Sequence, residues 1–399
     1  MNMENKKEWF ILLPSVFIWR KKDECLFYDS NTFQCKIVYI KNQDVDNFIN
    51  RLRDIDNLYC IEITKTVNKE LLFFLEELID LKMGAIIHEE EMHGRRPIQL
   101  PPLLNLQSEV ERLNNKELTD LTVGENILEY IHEIHIILSE NPESKTILSV
   151  IHFIETLRKS NLYAIKISGD ILILNRSVEL WKLLNSMHAI KILMLDFKED
   201  TFETLLKIRE LNIENFSIFI RINYDFNKEL LEKVENFLQS EKIPHEYEFV
   251  IANEKDFEEI QTKIQNIILE SMNIKPVFNG DNNVFFENNV YLDENDIQAS
   301  EMTKRNIFAH QVLNTNDFGK LTVTHNGKVY ANPHFPPLGT VNDDVRLLVY
   351  KEMFTGTSWR RIRDMKPCCD CVYQWLCPSP SSYELEIGKP NLCHVKNDI

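Results

Sequence analysis

Cys368-Cys369-Asp370-Cys371-Val372-Tyr373-Gln374-Trp375-Leu376-Cys377 is the stretch around which the rest of the chain can be read. With Cys393 it holds five of the eight cysteines in 399 residues. The spacing C-x2-C-x5-C with a distant fourth cysteine supplies four thiolates: Cys368, Cys371, Cys377 and Cys393. Four thiolates suit a tetrahedral zinc or an iron–sulfur cluster, and the spacing alone favours neither. A two-residue gap lets a tight turn aim two sulfurs at one centre. Pro378 and Pro380 cannot extend a helix, so the chain bends away after the third cysteine. A disulfide knot is the plainer alternative, but it belongs to secreted chains, and nothing else here suggests secretion.

Upstream, Leu321-Thr322-Val323-Thr324-His325-Asn326-Gly327-Lys328-Val329-Tyr330 reads as a β-hairpin turned at Asn-Gly. Before it, after the proline-rich joint at Pro97 to Pro102, apolar runs alternate regularly with helical patterns. Strands are predicted at 133–138, 164–168, 191–197, 216–222, 245–252 and 273–278, and helices at 145–159, 178–187, 201–211, 228–241 and 255–270. In the last helix Phe257, Ile260, Ile264, Ile267 and Ile268 fall on one stripe. Repeated strand–helix units imply parallel strands with right-handed crossovers. Six strands are too few for an eight-stranded barrel, which leaves an open partial barrel or a doubly wound sheet.

A six-stranded α/β half-barrel followed by a cysteine-rich domain resembles the radical S-adenosylmethionine (SAM) enzymes that carry a SPASM domain. The resemblance implies a partial (βα)6 radical-SAM-like barrel over residues 120–280 and a SPASM-like domain over 281–399. Those enzymes bind a catalytic [4Fe–4S] cluster through C-x3-C-x2-C after the first strand. Here that loop is Ser139-Glu140-Asn141-Pro142-Glu143-Ser144-Lys145, and no cysteine lies between Cys60 and Cys368. The family's Gly-Gly-Glu-Pro turn, which meets the SAM amino group, corresponds to Ser168-Gly169-Asp170-Ile171, a partial remnant. The barrel therefore resembles the fold without its reactive centre, and SAM is not expected. SPASM domains use seven cysteines for two auxiliary clusters. Asn332, a position near Asp344, and Ser381 stand where three of them belong, the three used for the first cluster. Cys368, Cys371, Cys377 and Cys393 match the set used for the second. The resemblance thus implies one [4Fe–4S] cluster of the auxiliary type, with zinc as the alternative; Cys369 is a spare thiol.

At the N-terminus, Val16 to Trp19, Leu26 to Tyr28 and Cys35 to Ile40 are β-rich runs separated by polar turns, as in a three-stranded meander. A helix fits Val45 to Leu52, and a second fits 69–81, ended by Gly84 as a C-cap. This order over residues 8–90 resembles the RiPP recognition element, a winged-helix-like module that binds leader peptides of ribosomally made natural products by β-augmentation. The resemblance places the docking edge on Cys35, Lys36, Ile37, Val38, Tyr39 and Ile40, and the groove wall on Leu71, Leu75 and Leu78. Cys25, Cys35 and Cys60 read as small buried hydrophobes rather than ligands. Residues 91–119 read as a linker. His88-Glu89-Glu90-Glu91-Met92-His93 is not a zinc-protease motif, because its histidines are five apart and do not share a helix face.

The net charge of −17 argues against a nucleic-acid partner. Ten glycines include no phosphate-binding cluster. No apolar run spans a bilayer, and Met1 to Lys7 lack a secretory core, so a cytoplasmic protein is expected. Trp9, Trp19, Trp359 and Trp375 are expected in the core, with a partner interface as the alternative. Trp359-Arg360-Arg361-Ile362-Arg363 is locally basic, as for an acidic partner surface or a solvated helix end. The run from Tyr373 to Glu384, with Asn391-Leu392-Cys393, resembles the tail of SPASM-type peptide maturases, and the full chain resembles the pseudo-radical-SAM/SPASM proteins of the GG-Bacteroidales system. That resemblance implies a catalytically silent companion whose partners are a radical SAM/SPASM maturase and a precursor leader peptide. The alternatives are an iron–sulfur electron-transfer protein or enzyme of another class, and a zinc-stabilised scaffold.

Overall fold

The computed structural model describes residues 7–63, 68–102, 126–139, 144–175, 177–211 and 213–395. Most of the linker read at 91–119 and Glu140 to Glu143 of the loop after the first barrel strand lie outside them. At the N-terminus the chain forms β1 (Glu8–Leu12), β2 (Val16–Lys21), β3 (Glu24–Asp29), β4 (Cys35–Tyr39), α1 (Gln43–Arg53), β5 (Cys60–Ile63), α2 (Lys69–Asp80) and β6 (Gly84–His88). The meander β2-β3-β4 and both helices lie where the sequence predicts them. A second antiparallel sheet, β5-β1-β6, is not predicted. Gly84 is not a cap. Lys82 takes the left-handed position after α2 (φ +57°), while a Cβ on Gly84 would lie 2.5 Å from the Phe10 ring. Gly84 is there to let β6 approach β1.

The β2-β3-β4 sheet is buried on both faces, because its strands alternate two sets of apolar side chains. Val16, Ile18, Cys25 and Phe27 join Phe48, Leu75 and Leu78 of the helices. Phe17, Trp19, Leu26 and Tyr28 instead pack on Val372, Tyr373, Trp375 and Leu376 of the cysteine stretch. Burying each large side chain contributes about 1.5–3 kcal/mol, against at most about 1 for a surface ion pair. Apolar packing therefore fixes the N-terminal module onto the cysteine-rich region.

The middle of the chain runs β7 (Glu133–Leu138), α3 (Ser144–Thr156), β8 (Ala164–Gly169), α4 (Val178–Asn185), β9 (Ile190–Asp196), α5 (Thr201–Glu210), β10 (Phe216–Asn223), α6 (Lys228–Ser240), β11 (His245–Ile251), α7 (Glu254–Ile264) and β12 (Met272–Pro276). All neighbouring pairs are parallel, and the spatial order is the chain order. A doubly wound sheet would reverse order part-way and bury both faces. Here one face carries Ile134, Ile165, Leu193, Ile220 and Phe249 in the core, while the other carries His135, Lys166, Asp196, Arg221 and Glu248. The result is a mixed α/β fold on a largely parallel sheet, of the open partial (βα) type. Helix α7 stops at Ile264 rather than 270, and Ile268 is 86% exposed, so the apolar stripe is shorter than predicted.

The remainder forms α8 (Asn283–Asn289), α9 (Glu294–Ala299), α10 (Lys304–Val312), β13 (Lys320–Val323), β14 (Lys328–Tyr330), β15 (Gly339–Thr340), α11 (Val345–Thr355) and α12 (Ser382–Ile387). The predicted hairpin is β13-β14, with Gly327 at φ +75°. β13 also pairs parallel with β7, so the sheet continues as nine strands past residue 280. Among the described residues no helix is long and apolar enough to cross a membrane.

Candidate metal centre and docking edge

The cysteine stretch is a loop nailed down by its own hydrophobes. Val372, Tyr373, Trp375 and Leu376 are buried, so the intervening cysteines are held at fixed positions. Cys368 to Asp370 make one tight turn, in which the Cys371 N–H donates to the Cys368 carbonyl (3.0 Å). Cys393 arrives from the tail through a bridge to Leu292, where the His394 N–H donates to the Leu292 carbonyl (2.9 Å). Burial pushes the Cys377 thiol up; Arg363 opposes that shift, and the charges of Cys371, Cys393 and Cys368 add to it. The four predicted thiols thus lie within electrostatic reach of one another. The Cys369 carbonyl accepts from Lys21 Nζ (2.7 Å) of the N-terminal module. All eight cysteines are free of disulfides. As they stand, no three or more His, Cys, Asp or Glu side chains among the described residues are arranged to hold a metal ion.

In donor chemistry the set suits a thiophilic ion or cluster: four sulfurs and a buried counter-cation, which also pairs with the Glu384 carboxylate. Arg363 is that cation. Its Nη1 lies 3.7 Å from Cys368 Sγ, its Nη2 pairs with Glu384 (2.9 Å), and its Nε donates to the Pro378 carbonyl (2.6 Å). Trp359 is fully buried, and Arg361 sits 3.7 Å from Asp317 while donating to the Pro380 and Ser381 carbonyls (3.0 Å each). Within the run Trp359 to Arg363 only Arg360 is exposed, while Arg361 and Arg363 are engaged inside the fold. The three positions where resemblance would put further cysteines carry structural polar groups. Asn332 donates to Asp317 (3.1 Å), Asp344 caps α11, and Ser381 forms a capping box with Glu384 at the start of α12.

The open edge of the β2-β3-β4 sheet follows from hydrogen-bond parity. The Ile40 N–H donates to the Asp23 carbonyl (2.7 Å) and the Asp29 N–H to the Gln34 carbonyl (3.0 Å), so even-numbered residues of β4 bond to β3. The N–H and C=O groups of Cys35, Ile37 and Tyr39 must then point away from β3, and no described strand pairs with them. Lys36, Val38 and Ile40 face the helices, where Lys36 Nζ pairs with Glu77 of α2 (2.6 Å). Leu71, Leu75 and Leu78 do not line a groove. They are 8% exposed or less and face the module's own core. The side of α2 that borders β4 and solvent presents Phe73, 62% exposed, beside Glu77.

Ser168, Gly169 and Asp170 border a cavity of about 750 Å³ at the C-terminal ends of β7 to β10. A Cβ on Gly169 (φ +82°) would lie 2.0 Å from the Leu138 carbonyl oxygen, so only glycine fits. Ser168 Oγ lies 2.8 Å from His135 Nε2, and Asp170 accepts from the Leu172 N–H (3.1 Å). Burial and the nearby Lys166 hold His135 down to about 4, so it is neutral at pH 7. The charges on this face pair across strands: Lys166 with Glu133 (3.0 Å), Arg221 with Glu248 (2.9 Å) and Lys275 with Glu248 (3.6 Å). Lys21 and His135 escape motif reading, and Arg363 shows only as part of the basic run Trp359 to Arg363. The two basic residues near the cysteines carry no periodic signal, whereas the polar positions at period two in β7, β8, β10 and β11 do mark the lined face.

No protein-family model matches the chain, and no curated protein matches it.

Proposed function

We propose that this chain is a non-catalytic companion of a radical SAM/SPASM peptide maturase, which binds the leader of a ribosomally made precursor on β4 and presents the attached core peptide to that enzyme. The observation that carries this is the open edge of β4, whose three outward backbone pairs lie beside the exposed side of α2. An extended peptide adding there would exchange water for main-chain hydrogen bonds. Tethering the leader then raises the effective concentration of the core at the partner's site without new contacts to the core itself. In this reading Cys368, Cys371, Cys377 and Cys393 hold one [4Fe–4S] cluster, or zinc, as a brace beneath the docking module. The cavity at Ser168, Gly169 and Asp170 takes no SAM, since the sequence offers no cysteine near it for the iron that would chelate SAM.

The test is a titration of the full-length protein with the synthetic leader and, separately, with the maturase. Micromolar or tighter binding of the leader is expected, lost in a leader with its central residues replaced by proline. Absence of leader binding sinks the docking reading. Modification of the peptide by this protein without the maturase sinks the companion reading.

A further inference from the structure

Arg363 and Asn391 point N–H groups at sulfur. Arg363 Nη1 lies 3.7 Å from Cys368 Sγ, and Asn391 Nδ2 lies 3.0 Å from Cys393 Sγ. These are the first and the last thiols of the four. The inner two are set by the loop's own backbone: the Cys371 N–H donates to the Cys368 carbonyl and the Cys377 N–H to the Tyr373 carbonyl (3.0 Å each). Neither side-chain donor is a surface contact, since Asn391 is 7% exposed and the Arg363 side chain 9%. Arg363 is also aimed. Its Nε donates to the Pro378 carbonyl (2.6 Å), its Nη2 pairs with Glu384 (2.9 Å), and its own carbonyl accepts from Gln374 Nε2 (2.7 Å). Those three partners leave Nη1 directed at Cys368. Glu384 balances the guanidinium charge, so what reaches the sulfur is a directed N–H rather than net charge.

Buried N–H groups need acceptors. A neutral thiol is a weak one, whereas a metal-bound sulfur carries negative charge and is a strong one. We propose that Arg363 and Asn391 are positioning residues of the thiol site: they orient the Cys368 and Cys393 sulfurs and stabilise them through N–H···S hydrogen bonds when a thiophilic ion or cluster is bound. The proposal rests on the four-cysteine reading above and is independent of leader docking. It gives Asn391, which bears no charge and is no ligand itself, a share in metal affinity. Outer partners of this kind typically hold about 10–100-fold in affinity, because they fix ligand direction before the metal arrives.

The experiment titrates the reduced full-length protein with Co2+, followed by the absorption of its tetrahedral thiolate complex, in the wild type, Asn391→Leu, Asn391→Asp and Arg363→Lys. Thermal melts of the metal-free proteins run in parallel. The wild type is expected to bind Co2+. Asn391→Leu removes the donor at similar volume and is expected to weaken Co2+ about tenfold or more, with a metal-free melt close to that of the wild type. Asn391→Asp sets an acceptor against the sulfur and is expected to lose more. Arg363→Lys keeps the charge but cannot reach Pro378, Glu384 and Cys368 together, and is expected to lose about tenfold. Affinities within about twofold of the wild type in both Asn391 variants overturn the proposal. A metal-free Asn391→Leu protein that is already unfolded makes Asn391 a purely structural residue and overturns it too. A wild type that binds no Co2+ overturns it together with the four-cysteine reading. Cobalt affinity lost in the variants of a chain that binds no leader supports the proposal and strikes the docking reading alone.

Discussion

Arg363 is nine-tenths buried yet touches a thiol, a carboxylate and a carbonyl at once. Removing one member of a buried ion pair strands the other, at a cost of about 3–5 kcal/mol. Arg363→Met should therefore lower stability by about that amount in urea unfolding, because Glu384 is left uncompensated in the interior. Arg363→Lys keeps the charge but loses the planar fork, so it should fall between the two. An Arg363→Met protein as stable as the wild type would show that the guanidinium is incidental. His135 supports a second expectation. Its folded value lies near 4, below the ordinary 6.5 of an unfolded histidine. Between those values the unfolded chain takes up a proton that the folded chain refuses, so stability falls as pH drops from about 6.5 toward 4. Thermal melts of His135→Asn should show a shallower decline over that window than the wild type. Neither role is spelled out in the sequence: the third arginine of a basic run and a single histidine in an isoleucine run have no spacing to interpret, and only tertiary neighbours give them roles.

At the level of elements, β4 joins what the residues predict to what they cannot. Its alternation is plain in Cys35 to Tyr39, and so is the apolar stripe of α2. Which partner claims that stripe is not plain, and here the core takes Leu71, Leu75 and Leu78 first, leaving Phe73 outside. Of the strands that escape prediction, β1 opens on Glu8, β5 is interrupted by Glu62, and β6 begins at a glycine that looks like a helix stop. The parity of β4 permits a selective test. Proline at position 37 removes an N–H that points outward and leaves the β3 ladder intact; proline at 38 removes an N–H that the ladder uses. Ile37→Pro should keep its melting transition within a few degrees and lose leader binding by tenfold or more. Val38→Pro should lose stability whether or not leader is present. Equal loss of stability in both would mean that the edge is not open as the hydrogen bonds imply.

Across the whole molecule, the strand–helix repeat is legible because each unit repeats a period, whereas the packing of the first module against the last stretch is not, since no local pattern encodes contacts more than 300 residues apart. That packing ties the β2-β3-β4 sheet to the thiol loop. Phe17, Trp19, Leu26 and Tyr28 share a core with Tyr373, Trp375 and Leu376, and Lys21 holds the Cys369 carbonyl and Gln374 (3.1 Å). A loop whose cysteines bind a metal gains rigidity from it, because the ion ties together residues distant in sequence. Through the shared core that rigidity should reach β2 to β4. Hydrogen exchange of the metal-loaded protein, before and after chelation, measures this directly. Chelation is expected to lower protection in residues 366–377 and, with it, in Val16–Lys21 and Glu24–Asp29, and to weaken leader binding several-fold. Lys21→Met should lose part of the same protection without chelation. Deprotection confined to residues 366–377 would separate the two regions energetically, and the cysteine-rich part would then be a brace for the tail alone.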